Sequence, residues 1–397
     1  MARVYVQQGH VQPIWAGHPW VFSRAIKRIE GIFQPGDAVD ILDPSGKFLG
    51  RGFISPDSAI AIRILTRHES DILNTDFLAK RILSAIEMRK NILGLPSPST
   101  TGYRAVNSEG DNLGGLIVDV YGEVIVVQFL TIGMKKIENE IFEILQNYLP
   151  SKAIFEVGRG KHQKEEGITC ETRIARGNWK GTVKFLENDI QFEADISEGQ
   201  KTGFYFDQRD NRLCISKYCN GKTVLDLFCY SGPFSIYALR GGALSCTCVD
   251  SSMRALIEAE KNARQNGVVD KIKLVNKNVQ TFLTDSIIKE EKYDIVIVDP
   301  PNFAHAARDR ESARKAYKKL NAYAMKVVKE GGIIATSCCS GQIPTEEFLR
   351  IIGMASSEAD VISSVLEVRG PSSDHPFSPA FEQGRYLKFI ICQIHSR

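Results

Sequence analysis

Through the second half of this chain, short apolar runs alternate with stretches of helical period. Val224-Leu225-Asp226-Leu227 is one run, and others cover residues 244–249, 272–275, 293–298 and 332–337. A helix is predicted from Pro233 through Leu239 and another from near Thr345. This alternation predicts a parallel, doubly wound α/β sheet of Rossmann-like form. The first 67 residues read differently: short strands broken by Pro35-Gly36, Pro44-Ser45-Gly46 and Ser55-Pro56 predict a small β-rich barrel. Between the two, Phe77, Leu78, Ile82, Leu83, Ile86, Ile92 and Leu93 recur at helical spacing, and residues 96–100 form a Pro/Ser/Thr loop. A hairpin around Asp119 to Gly122, a helix over 134–148 and further strands to about 194 complete an α+β middle piece. The expected organisation is multidomain, with divisions at 1–70, 71–190 and 191–397.

The chemistry concentrates where the first apolar run of the sheet ends. Val224 to Gly232 reads as a buried strand, a sharp turn with one glycine, and the start of a helix. Ligands of open α/β sheets bind at the carboxyl ends of the strands. Asp250, at the end of the second strand, stands where a ribose hydroxyl pair would be held. A dinucleotide needs several glycines to bring its pyrophosphate onto backbone N–H groups. This turn has one glycine, an acid (Asp226) before it, and bulky Phe228 and Tyr230. It suits the cationic amino-acid tail of S-adenosylmethionine better than NAD; a turn of this shape with no ligand is the third possibility. Asn278, past the third strand, is placed to meet an adenine.

The fourth and fifth strands run into Asp299-Pro300-Pro301-Asn302-Phe303 and Thr336-Ser337-Cys338-Cys339-Ser340-Gly341. Two chemistries fit that edge. In one, the Asp-Pro-Pro segment orients an exocyclic amine for methylation while Phe303 stacks on a flipped base. In the other, a thiol adds to C6 of a pyrimidine and turns C5 into a carbon nucleophile, a route that requires a cysteine. Cys339 lies in a polar turn past the strand, where a thiolate is accessible, and Asp299 would hold the base. Free cysteine is also a small core hydrophobe; Cys170, Cys214, Cys219, Cys229, Cys246, Cys248 and Cys392 read that way, and Cys338 points inward.

Composition narrows the setting. Nine scattered cysteines in 397 residues fit a reducing cytoplasm better than a disulfide framework. The chain has no apolar run long enough to span a bilayer and no clustered Cys/His set, so neither membrane nor metal is expected. A net charge of +3 does not announce a nucleic acid, but basic residues cluster. Arg308, Arg310, Arg314, Lys315, Lys318 and Lys319 follow the Asp-Pro-Pro segment, with lesser groups at Arg159 to Lys164 and Arg24 to Arg28. They read as phosphate contacts or as a solvated face.

Residues along nearly the whole chain resemble a known family. Gly17-His18-Pro19-Trp20-Val21-Phe22-Ser23, Gly114-Gly115-Leu116-Ile117-Val118-Asp119, Gln200-Lys201-Thr202-Gly203-Phe204-Tyr205, Asp207-Gln208-Arg209-Asp210-Asn211-Arg212, Ser373-Asp374-His375-Pro376 and Arg385-Tyr386-Leu387-Lys388 occur in order. They are similar to segments of the class I, S-adenosylmethionine-dependent 23S rRNA 5-methylcytosine methyltransferases with an N-terminal PUA domain. The resemblance implies a PUA barrel that binds RNA, a class I methyltransferase domain, and Cys339 as nucleophile beside Asp299. The implied cofactor site comprises Asp226, Phe228, Cys229, Tyr230, Gly232, Asp250, Ser251, Asn278, Val279, Asp299 and Gln208. Arg209, Pro300, Pro301, Phe303, Arg308, Arg314 and Lys315 are implied to meet large-subunit rRNA. Cys338 stands where the family carries serine, and Asn278 where an acid is common. A non-catalytic RNA-binding assembly factor with a retained cofactor pocket is the rival from another class, and a homodimer is neither required nor excluded by the residues.

Overall fold

In the computed structural model, residues 1–158, 163, 165–168, 171–196, 202–304 and 307–397 are described. The chain forms two compact units: Met1–Asp189 with Ala194–Phe206 and Ser373–Gly384, and Ile190–Glu193 with Asp207–Ser372 and Arg385–Arg397.

The first unit holds two sheets. Strands β1 (Ala2–Val6), β2 (Trp20–Phe22), β3 (Ile26–Glu30), β4 (Ala38–Leu42), β5 (Phe48–Ile54) and β6 (Ile60–Thr66) order as β2-β6-β5-β4-β1-β3. Val4, Val6, Val21, Val39, Ile41 and Ile62 are fully buried between them. At Gly52 a Cβ would overlap the Arg63 carbonyl oxygen, so only glycine lets β5 and β6 approach there. Strands β7 (Gly102–Asn107), β8 (Leu116–Tyr121), β9 (Val124–Phe129), β10 (Ala153–Glu156) and β11 (Arg173–Gly177) form a second sheet in the order β11-β10-β9-β8-β7. The helix Thr75–Asn91 starts at Asn74, whose side chain accepts from the Phe77 amide at 3.0 Å. The helix expected over 134–148 is broken at Ile137 into Ile132–Lys136 and Glu138–Tyr148.

Buried charge in this unit is paired. Arg89, 0% exposed, reaches Asp111 at 2.6 Å, and the Asp374 carbonyl accepts from it at 2.7 Å. Asp374 also accepts from the Arg104 amide and contacts buried His375, so His375 is part of this scaffold. Strands β12 (Val183–Glu187) and β13 (Ile190–Ala194) follow.

The second unit is built on β14 (Thr223–Leu227), β15 (Ser245–Asp250), β16 (Ile272–Asn276), β17 (Tyr293–Val298), β18 (Val328–Cys338), β19 (Val361–Arg369) and β20 (Lys388–Ser396). Their order is β16-β15-β14-β17-β18-β20-β19. The first five run parallel, as their apolar runs and intervening helices predict. The sequence reading does not foresee the last two strands: β20 is inserted antiparallel to both β18 and β19, so β19 runs in the direction of the first five. Order reverses between β14 and β17, which is the switch point where ligands of such sheets bind.

Candidate active site

The turn after β14 is held under strain. Phe228 and Tyr230 adopt φ of 61° and 50°, a left-handed backbone that bulky residues avoid. Gly232, at φ 78°, precedes the helix Pro233–Arg240 with proline at its first position. Two anchors fix the conformation. The Tyr230 amide donates to the Asp250 carboxylate at 3.0 Å, and Asn262 donates to the Ser231 carbonyl at 3.2 Å. Asp250 also accepts from the Ser252 amide at 2.8 Å, so one carboxylate ties the ends of β14 and β15 together.

Asp226 departs from expectation. Its carboxylate lies beneath the turn, 1% exposed, where Oδ2 accepts from the Ser235 amide and hydroxyl at 3.1 and 2.6 Å. Oδ1 is buried without a hydrogen-bond partner. Burial, with Asp299 and Asp250 as neighbouring like charges, pushes this carboxyl up to about 7. Three acids therefore converge on the carboxyl edge of β14, β15 and β17, leaving that edge short of positive charge. A ligand with a cationic centre and hydroxyl groups fits such a site, and a phosphate does not.

Other expected residues take structural duties. Asn278 caps the helix Val279–Ile288, its oxygen accepting from the Gln280 and Thr281 amides at 2.9 and 3.3 Å, so that oxygen is not free to read an adenine. Val279 is 4% exposed and its side chain packs in the core. Cys229 is 3% exposed and clusters with Cys246 and Cys248, which face the same way along β15. For Val279 and Cys229, only backbone atoms are left to meet a ligand. Ser251 is exposed just past β15; its neighbour Ser252 makes the helix cap.

Gln208 and the two loops past β17 and β18 do come together. Gln208, 3% exposed, donates to Asp299 at 2.9 Å and to the Ser337 hydroxyl at 3.0 Å, and accepts from Asn211 at 2.7 Å. The Ser340 hydroxyl donates to the Ala304 carbonyl at 3.0 Å, and the Cys339 thiol lies 3.7 Å from the Pro300 carbonyl. Cys339 is half-buried, whereas Cys338 is 0% exposed in the apolar core, as its place on the strand predicts. Pro300 is buried and Pro301 exposed.

The RNA-facing expectations divide. Arg209, implied to meet the RNA, is 4% exposed and pairs with Asp210 at 3.3 Å. Phe303 packs its ring on Tyr317 with centroids 4.8 Å apart; in this arrangement it is not an open stacking platform. Arg314 is engaged by Glu347 at 3.1 Å, and Arg310 pairs with the same carboxylate, while Arg308 and Lys315 are exposed. The cluster at 159–164 lies largely outside the described residues, as do Cys170, Gln200 and Lys201. Asn262 and Ser235 escape the sequence reading, and Asn211 and Lys388 enter it only within matched segments, without a role. Lys388 gave a signal, as a lone lysine heading the apolar run that becomes β20.

The parallel sheet, its switch point and the acid-lined turn define a nucleoside-cofactor transferase rather than a dinucleotide enzyme. Residues 156–372 match the S-adenosylmethionine-dependent methyltransferase family, and residues 4–67 match a PUA-like domain. The chain belongs to the family of S-adenosylmethionine-dependent methyltransferases that carry an N-terminal PUA-like domain, and S-adenosylmethionine is its cofactor. Among its relatives is ribosomal RNA large subunit methyltransferase I of Photobacterium profundum, 37% identical over 98% of this chain and 99% of that protein. The fold is shared with an S-adenosylmethionine-dependent methyltransferase of Streptococcus mutans, at TM-score 0.85, 23% identity and coverage of 99% and 100%. It is shared equally with a methyltransferase crystallised with S-adenosylhomocysteine, at TM-score 0.86, 24% identity and the same coverage.

Proposed function

We propose that this enzyme methylates C5 of a cytosine in 23S (large-subunit) rRNA through a covalent adduct on Cys339. The carrying observation is the joined pair of loops at 299–304 and 338–341. They bring a half-buried thiol and a carboxylate to the edge where the cofactor's acids converge. The substrate class follows from the relatives named for large-subunit rRNA.

When bound, S-adenosylmethionine supplies a methyl group on a cationic sulfur whose loss leaves a neutral thioether. Asp250 and the turn at 228–232 would hold its ribose and tail, and Asp226, buried beneath that turn, would act on the cationic end through its field rather than by contact. Asp299, fixed by Gln208, orients the base through its amino group. The Cys339 thiolate forms an S–C6 bond, and the C5–C6 π electrons move to C5, which takes the methyl group. A base then removes the C5 proton, the C–H electrons restore the double bond, and the S–C6 electrons leave with sulfur. Because C6 is covered in a stacked duplex, the cytosine is presented unpaired or flipped out. Arg308 and Lys315 track the flanking phosphates.

The test is nucleoside mass spectrometry on rRNA incubated with the wild type, Cys338→Ala and Cys339→Ala. The expected product, 5-methylcytidine, forms with the first two and not the third. Methyl label on an exocyclic nitrogen, unaffected by either change, replaces this reading with amino-group methylation by the 299–303 segment.

A further inference from the structure

Lys388 opens β20 and is 1% exposed, paired in the ladder with Cys338 of β18. Its ammonium donates to the Tyr386 carbonyl at 2.8 Å and to the carbonyl of Ser340, the residue directly after Cys339. An ammonium has three donors, and both of these acceptors are neutral carbonyls. Among the described residues no carboxylate hydrogen-bonds to it. Burying a charge without a partner of opposite sign is costly, so such a group either loses its proton or sits beside an anion. The groups acting on it are the thiol of Cys338, through charge and a side-chain hydrogen bond, and the thiol of Cys339, through charge, with Arg385 opposing. Cys338 is sealed in the apolar core, which leaves Cys339 as the thiol whose ionisation is usable.

We propose that Lys388 is the counter-ion of the Cys339 thiolate, anchoring the turn that carries the nucleophile and supplying the positive charge that keeps its sulfur ionised. The inference rests on the reading of Cys339 as nucleophile. In the resting site one proton serves both groups. Its transfer from sulfur to nitrogen breaks the S–H bond, forms an N–H bond, and leaves thiolate and ammonium side by side with no external acid or base. Burial lowers the lysine's proton affinity, which makes an unprotonated amine available, and the thiolate formed beside it then offsets the cost of the buried ammonium. The other titratable neighbours do not compete. The Tyr317 hydroxyl is held well above its usual value by burial and by the two thiols, so it stays neutral. Asp299 accepts from Gln208, and Arg385 adds a like charge. Lys388 is thus a positioning residue, acting through Cys339.

The experiment is the pH dependence of Cys339 alkylation by iodoacetamide, read by mass spectrometry of the Cys339 peptide so that other thiols do not contribute. Wild type, Lys388→Met and Lys388→Arg are compared as full-length protein, with S-adenosylhomocysteine binding as the check of folding. The wild-type midpoint is expected below the ordinary thiol value of about 8.5. Lys388→Met raises it by a unit or more, slowing alkylation at pH 7 about tenfold, and Lys388→Arg retains most of the wild-type profile. A wild-type midpoint at or above the ordinary value overturns the proposal even if no variant folds. So does a folded Lys388→Met protein with an unmoved profile, or an arginine variant that behaves as the methionine one. Cys339→Ala assayed for methyl transfer separates the two claims. If it stays active, the nucleophile reading fails and takes this one with it. If it is inactive while the Lys388→Met profile does not move, only the role of Lys388 is lost.

Discussion

The two sides of the sheet's carboxyl edge are built on opposite electrostatics. At the ends of β14 and β15, Asp226 and Asp250 are fixed by backbone and hydroxyl donors in a turn with two non-glycine residues at positive φ. At the end of β18, a half-open thiol sits in a turn gripped by a buried lysine. The first side is anionic and rigid, shaped for a cation that arrives from solution. The second pairs its thiol with a buried cationic side chain in place of acids. One sheet edge therefore carries an acidic side and a thiol side, and Asp299, bridged by Gln208 to Ser337, stands between them.

The contrast breaks most sharply at Cys339. Replacing it with alanine is expected to lower 5-methylcytidine formation by roughly a thousandfold or more, while calorimetric binding of S-adenosylhomocysteine stays unchanged. The acid side answers to pH instead. Because the folded chain holds the Asp226 proton up to about 7, whereas the unfolded chain releases it near 3.8, this group's contribution to stability falls as pH rises between those values. The decline amounts to at most roughly 4 kcal/mol. Asp226→Asn removes that slope, so urea midpoints of wild type and variant, compared from pH 4 to 8, should diverge as pH rises, in favour of the variant. Asp250→Ala unties the strained turn and removes a charged acceptor. Cofactor affinity should drop by about 1.5–3 kcal/mol with little change in Cys339 alkylation. The smallest effects belong to the surface: Arg308→Ala and Lys315→Ala should each reduce the salt slope of RNA binding by about 1, measured by filter binding over a range of salt.

Much of the second unit was legible because strand and helix periodicities report directly on which faces are buried. The five parallel strands, the Gly232-Pro233 helix start and the inward Cys338 followed from pattern alone. Side-chain direction did not. For Asp226, Arg209 and Phe303 the residue type and motif were readable but not the packing, which sets the first beneath its turn, encloses the second and lays the third on Tyr317. Asn278 carried a readable signal, since asparagine just ahead of a helix caps it. The partnership of Lys388 with the Cys339 turn depends on β20 lying next to β18, fifty residues away in sequence, and no local pattern encodes that neighbour.

The insertion of β20 between β18 and β19 also sets an order of events. Strand β19 is made before β20 and has no partner in the sheet until β20 slots in beside it. During synthesis, then, the turn at 338–341 stays without Lys388, and β19 without its neighbour, until the later strand has emerged. The Ser340 carbonyl therefore gains its buried donor only once the last strand of the chain is in place, so the turn at 338–341 is among the last parts of the sheet edge to be fixed.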